Sequence, residues 1–240
     1  MKGLVNLSNV KDIIQADFTT AGYHVFAPRV LHAADYGVPQ SRERVIFIGV
    51  RKSMLKRDVL KYLESGDFPG ELTPYPSPTH SYNSKSDVLA PPVKLSDIFD
   101  SLQEPNVTTD LSQKYHSRAK YMGAHCQGQI EVNLGGIAPT IRSEHHGNIE
   151  FRRLSQDHGG TLIEELRKGL PERRLTPREC ALIQTFPPDF EFVIACNNSS
   201  RNFELSPSGA YKVIGNAVPP LLAFNIAKRL EQVWEYFFEK

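Results

Sequence analysis

The chain has 240 residues, which is enough for one large domain or two small ones. Its 28 lysines and arginines nearly balance 27 aspartates and glutamates. This excludes a histone-like tail and a purely electrostatic nucleic-acid coat, but allows a local basic face. No apolar run approaches the roughly 20 residues that span a bilayer, and the N-terminus lacks a signal-peptide pattern. Three widely spaced cysteines favour a reducing cytoplasm and disfavour a disulfide framework or a zinc site.

The first segment, residues 1–52, predicts a helix followed by two strands. Apolar side chains recur at helical spacing over residues 10–21. Residues 23–31 predict a strand, in which Pro28 indicates a sheet edge or a bulge because proline cannot donate a ladder hydrogen bond. The continuous apolar run 45–50 predicts a strand covered on both faces. A helix and two strands are typical of the end of an α/β sheet, not of a whole one.

The second and third segments differ in character. Residues 53–171 are loop-rich, with few periodic stretches and six of the eight histidines. Residues 172–240 predict two helices. The first, a short one, begins at a capping box formed by Thr176 and Glu179, and the second is a C-terminal helix with one apolar face. The residues of that face are Leu222, Ile226, Leu230, Val233 and Phe237.

Three short motifs follow one another along the chain. Residues 40–44 read Gln-Ser-Arg-Glu-Arg before a predicted strand. Residues 174–181 read Arg-Leu-Thr-Pro-Arg-Glu-Cys-Ala, with Phe-Pro at 186–187, and residues 215–220 read Gly-Asn-Ala-Val-Pro-Pro. In the same order and at similar spacing, they resemble the QxRxR, RxLTxRE and GNAVPP motifs of DNA cytosine-5 methyltransferases. A variable block separates the first two motifs, where that family carries its target-recognition domain.

The resemblance implies a fold class and a division of the chain. The fold would be α/β, namely the C-terminal portion of a Rossmann-like methyltransferase sheet plus a mixed, loop-rich target-recognition domain. Residues 1–52 would supply the terminal strands and helix of the methyltransferase sheet, and residues 53–171 the target-recognition domain. Residues 172–240 would return to the methyltransferase domain. The implied cofactor is S-adenosyl-L-methionine, and the implied partner is double-stranded DNA in a bacterial cytoplasm, at the nucleoid.

The sequence lacks the features of the family's catalytic half. That half begins with a glycine-rich loop for S-adenosylmethionine. It continues with a Pro-Cys dipeptide whose cysteine attacks C6 of cytosine, and a Glu-Asn-Val segment whose glutamate contacts N3. In this chain no cysteine follows a proline and no Glu-Asn-Val occurs, while residues 2–4 resemble those that follow Glu-Asn-Val. The resemblance therefore implies a C-terminal half that shares its cofactor site with an N-terminal methyltransferase chain carrying the nucleophile.

Gln40, Arg42 and Arg44 are the candidate catalytic residues. In a strand with a period of two, the two arginines point to the same face, and two guanidinium forks can hold a phosphate and a carbonyl oxygen in planar geometry. The resemblance implies that Arg44 contacts the carbonyl of an extruded cytosine and Arg42 the adjacent phosphate, which offsets the cost of extruding the base. The alternative is a solvated strand start in which Glu43 pairs locally.

Asn216, Ala217 and Val218 are the candidate cofactor residues. Gly215 and Asn216 predict a tight turn that brings the backbone close to a ligand and offers an amide side chain for hydrogen bonds. The resemblance implies that residues 216–218 line the far wall of the S-adenosylmethionine pocket. The alternative is a plain helix-entry turn whose direction is set by the two prolines that follow.

The candidate DNA-binding residues cluster around one glycine in the second segment. They are Arg142, His145, His146, Asn148, Arg152 and Arg153. Arginine and asparagine make bidentate contacts to guanine and adenine edges, and the remaining cations suit phosphates. Adjacent histidines rarely ligate one ion together, so no metal site is predicted. The alternative is a solvated loop.

The residues around the capping box are expected to organise structure. Arg174 is expected to brace the recognition block, that is residues 53–171, against the sheet. Cys180 is interpreted as a core thiol and not as a nucleophile. Two functions therefore remain open. One is a split DNA cytosine-5 methyltransferase of a restriction-modification system. The other is a non-catalytic DNA-binding or regulatory remnant of a methyltransferase gene. An unrelated nucleotide-binding domain is disfavoured because no phosphate loop occurs, and the sequence does not distinguish a natural split from a fragment of a longer enzyme.

Overall fold

The computed structural model describes residues 8–82, 87–143, 148–196 and 202–239. Packing divides the chain into two compact units. Unit 1 comprises Met1–Tyr36, Arg42–Ala90 and Leu221–Lys240, and unit 2 comprises Gly37–Ser41 and Pro91–Pro220. These units are defined by packing, whereas the three segments of the sequence analysis are defined by their expected roles. Those roles stay a prediction. No helix in the described ranges is long and apolar enough to cross a membrane.

The described helices and strands are short, apart from the first and last helices. The α-helices are α1 (Ser8–Thr20), α2 (Arg57–Ser65), α3 (Leu95–Phe99), α4 (Leu111–Lys114), α5 (Ile163–Arg167), α6 (Pro177–Ile183), α7 (Pro207–Asn216) and α8 (Pro220–Phe237). The strands are β1 (Tyr23–Val25), β2 (Arg29–His32), β3 (Glu43–Ile46), β4 (Gly49–Arg51), β5 (Phe151–Arg153), β6 (Arg173–Arg174), β7 (Ile194–Ala195) and β8 (Phe203–Leu205). They form four two-stranded antiparallel sheets.

In unit 1, β1–β4 together make one interrupted antiparallel hairpin. β1 pairs with β4, placing Tyr23 opposite Arg51, and β2 pairs with β3, placing Leu31 opposite Arg44. The predicted strand 23–31 is thus two strands separated by the stretch that contains Pro28, which cannot donate to a ladder. The prediction of one continuous strand over residues 45–50 was wrong. This stretch is split between β3 and β4, all of β3 is only half-buried, and Gly49 is exposed.

The hairpin of unit 1 packs on the C-terminal helix α8. Val50 and Val59 share a core with Val233 and Phe237, and partly buried aromatic rings pack against this core. The predicted helix over residues 10–21 is confirmed as α1, and the predicted C-terminal helix is confirmed as α8, with Leu222, Val233 and Phe237 buried. Local apolar periodicity was sufficient for both helices because each is long enough to show three or more turns of the pattern.

In unit 2, α6 and α7 enclose the larger core. The capping box is confirmed: Thr176 Oγ1 accepts from the Glu179 backbone N–H at 3.0 Å, and Glu179 accepts from the Thr176 N–H at 2.9 Å. Cys180 lies in this core with no exposed surface, and burial raises the pKa of its thiol well above the ordinary value. The expectation of a core thiol is therefore confirmed.

Candidate functional site

The Gln-Ser-Arg-Glu-Arg motif begins in unit 2 and continues into unit 1. Gln40 has no exposed surface and bridges to Ala138 in a short parallel pairing. The Ser41 N–H donates to the Ala138 carbonyl at 2.8 Å, and the Ala138 N–H donates to the Pro39 carbonyl at 2.9 Å. Hydrogen bonds to Ala138, a residue of the second segment, therefore hold the backbone on both sides of Gln40.

Arg42 and Arg44 follow as the two cations of the motif. Arg42, only 1% exposed, precedes β3, and Arg44 is half-buried within that strand. Burial, together with the positive charge of Arg44, lowers the pKa of Arg42 to about 10, and burial also lowers the pKa of Arg44. Arg44 Nη1 donates to the carbonyl of the neighbouring Glu43 at 2.7 Å. An anionic ligand would offset the remaining repulsion between the two cations.

The predicted cofactor residues lie at the end of α7. Asn216 is exposed, Ala217 is half-buried, and Val218 is 49% exposed. The prediction of a tight turn at Gly215 and Asn216 was wrong, because both residues belong to the helix. The glycine is needed for close packing instead: a Cβ on Gly215 would lie 2.2 Å from the Arg142 carbonyl oxygen.

The predicted DNA-binding residues have different environments. His145 and His146 lie outside the described residues. Asn148 is half-buried, and Arg142 forms an ion pair of 3.2 Å with Glu150 while keeping 34% of its side chain exposed. Arg142 therefore remains within reach of a ligand, and its role in binding DNA stays a prediction.

Arg152 and Arg153 form ion pairs within unit 2. Arg153 has no exposed surface, and its guanidinium donates to Glu165 at 2.7 Å, to Glu104 at 2.7 Å and to the Pro171 carbonyl at 2.9 Å. Arg152 donates to Glu165 at 2.8 Å and is about one-tenth exposed. The expectation that these arginines contact DNA phosphates is corrected here, because carboxylates from distant parts of the chain already neutralise them.

The arginines next to the capping box are structural. Arg174 donates to the carbonyl groups of Ala119, Lys120, Gly128 and Ile149, and its guanidinium lies 4.1 Å from the centre of the Phe151 ring. Arg174 therefore binds the backbone of residues 119–149, which lie in the second segment, and the recognition role of that segment stays a prediction. Sequence reasoning missed the carbonyl partners of Arg174 because they lie 25 to 55 residues away, and no local pattern marks them.

Sequence reasoning also missed three exposed cations in unit 2, Lys114, Arg118 and Lys120. Their only sequence signal is the interleaving of basic residues with Tyr115 and Tyr121, which is common in solvated loops. The described residues contain no group of three or more histidine, cysteine, aspartate or glutamate side chains that could hold a metal ion.

Comparison with known proteins identifies close relatives of the sequence. A family model described as C-5 cytosine-specific DNA methylase matches residues 1–232. The chain is 35% identical over 233 residues to the Type II methyltransferase M.BsuRI of Bacillus subtilis, covering 95% of this chain and 47% of the relative. It is 34% identical over 239 residues to M.BspRI of Lysinibacillus sphaericus, covering 97% of this chain and 49% of the relative. The chain thus spans about half the length of these curated relatives.

Solved structures with a similar fold are methyltransferases. The Schizosaccharomyces pombe Dnmt2 methyltransferase superposes with a TM-score of 0.52 at 15% identity, covering 94% of this chain and 63% of that chain. The Entamoeba histolytica methyltransferase EhMeth gives a TM-score of 0.52 at 14% identity, covering 96% and 60%. At this identity the likeness concerns the fold alone, and the fold is of the α/β methyltransferase type.

Proposed function

The chain belongs to the family of C-5 cytosine-specific DNA methylases, and we propose that it is the DNA-recognising, pocket-closing half of a DNA (cytosine-5-)-methyltransferase. In this proposal an N-terminal methyltransferase chain supplies the Pro-Cys nucleophile and most of the S-adenosyl-L-methionine site. The complex would methylate double-stranded DNA in a bacterial cytoplasm, at the nucleoid, as the modification enzyme of a restriction-modification system.

The observation that carries this proposal is that none of the three cysteines is placed to act as the nucleophile. Methyl transfer to C5 needs a thiolate that adds to C6 of the cytosine. The thiol of Cys180 is fully buried and its pKa is raised, and neither Cys126 nor Cys196 follows a proline. A chain that matches the family from residue 1 to 232 but lacks a placed nucleophile needs that group from elsewhere.

The residues of this chain would act on the base and on its flanking phosphate. We assign Arg44 to the carbonyl oxygen of the extruded cytosine and Arg42 to the adjacent phosphate, with Gln40 holding the start of the motif in place. The lowered pKa values of both arginines support this assignment, since an anion would relieve their burial. Both groups remain cationic at neutral pH, so they stabilise the extruded base without moving a proton.

The end of α7 fits one wall of a cofactor site. Asn216 exposes an amide for hydrogen bonds and Val218 exposes an apolar surface, which together suit a polar and partly apolar cofactor. When bound, S-adenosyl-L-methionine supplies the methyl group. The part played by Asn216, Ala217 and Val218 would be to bind the cofactor and exclude water on their side of it.

The test is reconstitution. Purified chain is incubated with DNA and methyl-labelled S-adenosylmethionine, alone and with the N-terminal half of the Bacillus subtilis relative supplied in trans. We expect no incorporation alone and incorporation into cytosine with the added half, and a cysteine-to-serine change in that half serves as the control. Incorporation by the chain alone would overturn the proposal. DNA binding without any reconstituted transfer would favour the non-catalytic remnant instead.

A further inference from the structure

Most arginines of unit 2 already have partners within the unit. Arg142 pairs with Glu150, Arg152 and Arg153 pair with Glu165, and Arg173 pairs with Glu179 at 2.8 Å. Arg178 pairs with Asp110 at 2.6 Å, Arg167 pairs with Glu164, and Arg174 is surrounded by carbonyl oxygens. The buried members of this set are committed to structure, whereas Arg142 and Arg167 keep part of their side chains exposed beside their carboxylate partners.

Three neighbouring cations are different. The side chains of Lys114, Arg118 and Lys120 are exposed and make no ion pair or hydrogen bond with any residue in the described ranges. Tyr115 stands among them, 39% exposed, with the Lys114 Nζ 6.0 Å from the centre of its ring. We refer to the exposed part of residues 114–120 as the 114–120 surface.

The backbone beneath the 114–120 surface is held firmly. The Ser117 N–H donates to the Tyr211 hydroxyl at 3.1 Å, and that hydroxyl donates to the Leu175 carbonyl at 2.6 Å. The Arg174 guanidinium donates to the carbonyls of Ala119 at 2.7 Å and Lys120 at 3.1 Å. Cations on a fixed backbone lose less conformational freedom on binding than cations on a loose loop.

The two nearby carboxylates already have partners within unit 2. A cavity of about 420 Å³ opens beside Lys114, His116 and Arg118, and its acidic lining residues are Glu104 and Glu172. Glu104 accepts from Arg153 and Arg173, and Glu172 accepts from the Ser155 N–H and faces His158 at 2.6 Å. His116 is neutral at neutral pH because burial and the charges of Arg118 and Arg173 lower its pKa. Glu104 is offset by two arginines and Glu172 adds one negative charge, so the three unpaired cations leave this surface with an excess of positive charge.

We propose that the 114–120 surface contacts the phosphate backbone of double-stranded DNA, with Lys114, Arg118 and Lys120 as its phosphate-binding residues. This inference rests on the proposed function, which makes DNA the partner, and it locates the contact outside the predicted segment around Arg142. Cations without partners are the groups that release counterions from DNA, and such contacts position a protein without reading sequence.

The experiment measures DNA affinity of the full chain against salt concentration, on two duplexes of different sequence. The triple variant Lys114→Ala/Arg118→Ala/Lys120→Ala is compared with Lys52→Ala/Lys61→Ala/Lys94→Ala, which removes the same charge from exposed lysines elsewhere. We expect the slope of log affinity against log salt to fall in magnitude by about 2.7 in the first variant, about 0.9 for each lost contact. The control is expected to change the slope little.

The outcomes separate this inference from the proposed function. If the unmodified chain does not bind DNA, the proposed function fails. If it binds, and the triple variant keeps its slope or the control loses as much, the assignment of the 114–120 surface is overturned. A loss confined to one duplex would also overturn it, because phosphate contacts act on all sequences. If the triple variant does not fold, the three single alanine variants are measured in its place. A Lys114→Arg/Lys120→Arg variant keeps the charge and should keep the slope.

Discussion

The Thr140 hydroxyl donates a 2.5 Å hydrogen bond to the carbonyl of Ser41, which lies 99 residues earlier in the chain. The same stretch pairs through Ala138 with the backbone on both sides of Gln40. Two residues beyond Thr140, the Arg142 carbonyl lies against Gly215 at the end of α7. Residues 138–143 therefore touch both the start of the first motif and the segment predicted to line the cofactor site.

The first prediction concerns this hydrogen bond. Thr140→Val keeps the shape of the side chain but leaves the half-buried Ser41 carbonyl without its hydroxyl donor. We expect a loss of about 1 kcal/mol in the free energy of unfolding, whereas Thr140→Ser should keep most of the stability. Urea unfolding of the chain measures both. Equal stability of the valine and unmodified chains would show that the bond contributes nothing.

The second prediction concerns exchange of the recognition block. Replacing residues 53–171 by the matching block of a relative should change the methylated DNA site in the reconstituted enzyme while the reaction stays the same. Methylation-protected cleavage of DNA reports the site, and circular dichroism reports folding. An unchanged site after a folded exchange of 53–171 would refute the assignment of specificity to this block.

The third prediction follows from the buried environment of Arg153. Arg153→Met leaves Glu104 and Glu165 without a shared cation, and we expect a loss of about 3 kcal/mol in the free energy of unfolding. Arg167→Ala is the matched control. It removes an exposed ion pair with Glu164 and should cost about 0.3–0.5 kcal/mol. If Arg153→Met is as stable as Arg167→Ala, the ion pairs of Arg153 do not stabilise the fold, and contact of Arg153 with DNA phosphates would again be open to test.

The fourth prediction is a pH dependence of the same network. Burial raises the pKa of Glu104, but hydrogen bonds and charge from Arg173 and Arg153 outweigh it, so the pKa is lowered in the folded chain. A lowered carboxyl pKa stabilises the fold above the unfolded value near 4.5, and this contribution is lost as the pH falls through the folded value. Unfolding between pH 6 and pH 3 should therefore show a shallower loss of stability in Arg153→Met than in the unmodified chain. Parallel curves would contradict this linkage.

Local signals were sufficient for some elements and failed for others. The helix α1, the capping box at α6 and the apolar face of α8 depend on residues a few positions apart, and the sequence predicted each of them. The roles of Arg152 and Arg153 depend on Glu104 and Glu165, which come from other parts of the chain. A row of charged residues looks the same in a sequence whether it faces water or a buried carboxylate, so the sequence alone did not identify these pairs.

The last prediction tests the role of Arg44 in the reconstituted enzyme. If Arg44 holds the extruded cytosine, it acts on the rearranged complex more than on the first encounter with DNA. Arg44→Ala should then lower turnover at saturating DNA by about 100- to 1000-fold, as expected for a charged donor lost from a closed site, with little change in DNA affinity. Arg44→Lys should restore little, because an ammonium group does not reproduce the planar guanidinium fork.

The matched control is Arg51→Ala, which removes an exposed arginine from β4 of the same hairpin and should leave turnover near normal. Turnover and DNA affinity are measured on one substrate for each variant, after thermal unfolding has shown that the variants are folded. Because Arg44 pairs with Leu31 through its backbone, its side chain can be shortened without breaking the ladder of β2 and β3. A large loss of turnover in Arg44→Ala is then a property of the guanidinium. Near-normal turnover would show that Arg44 is only a strand residue and that the base is held by another group.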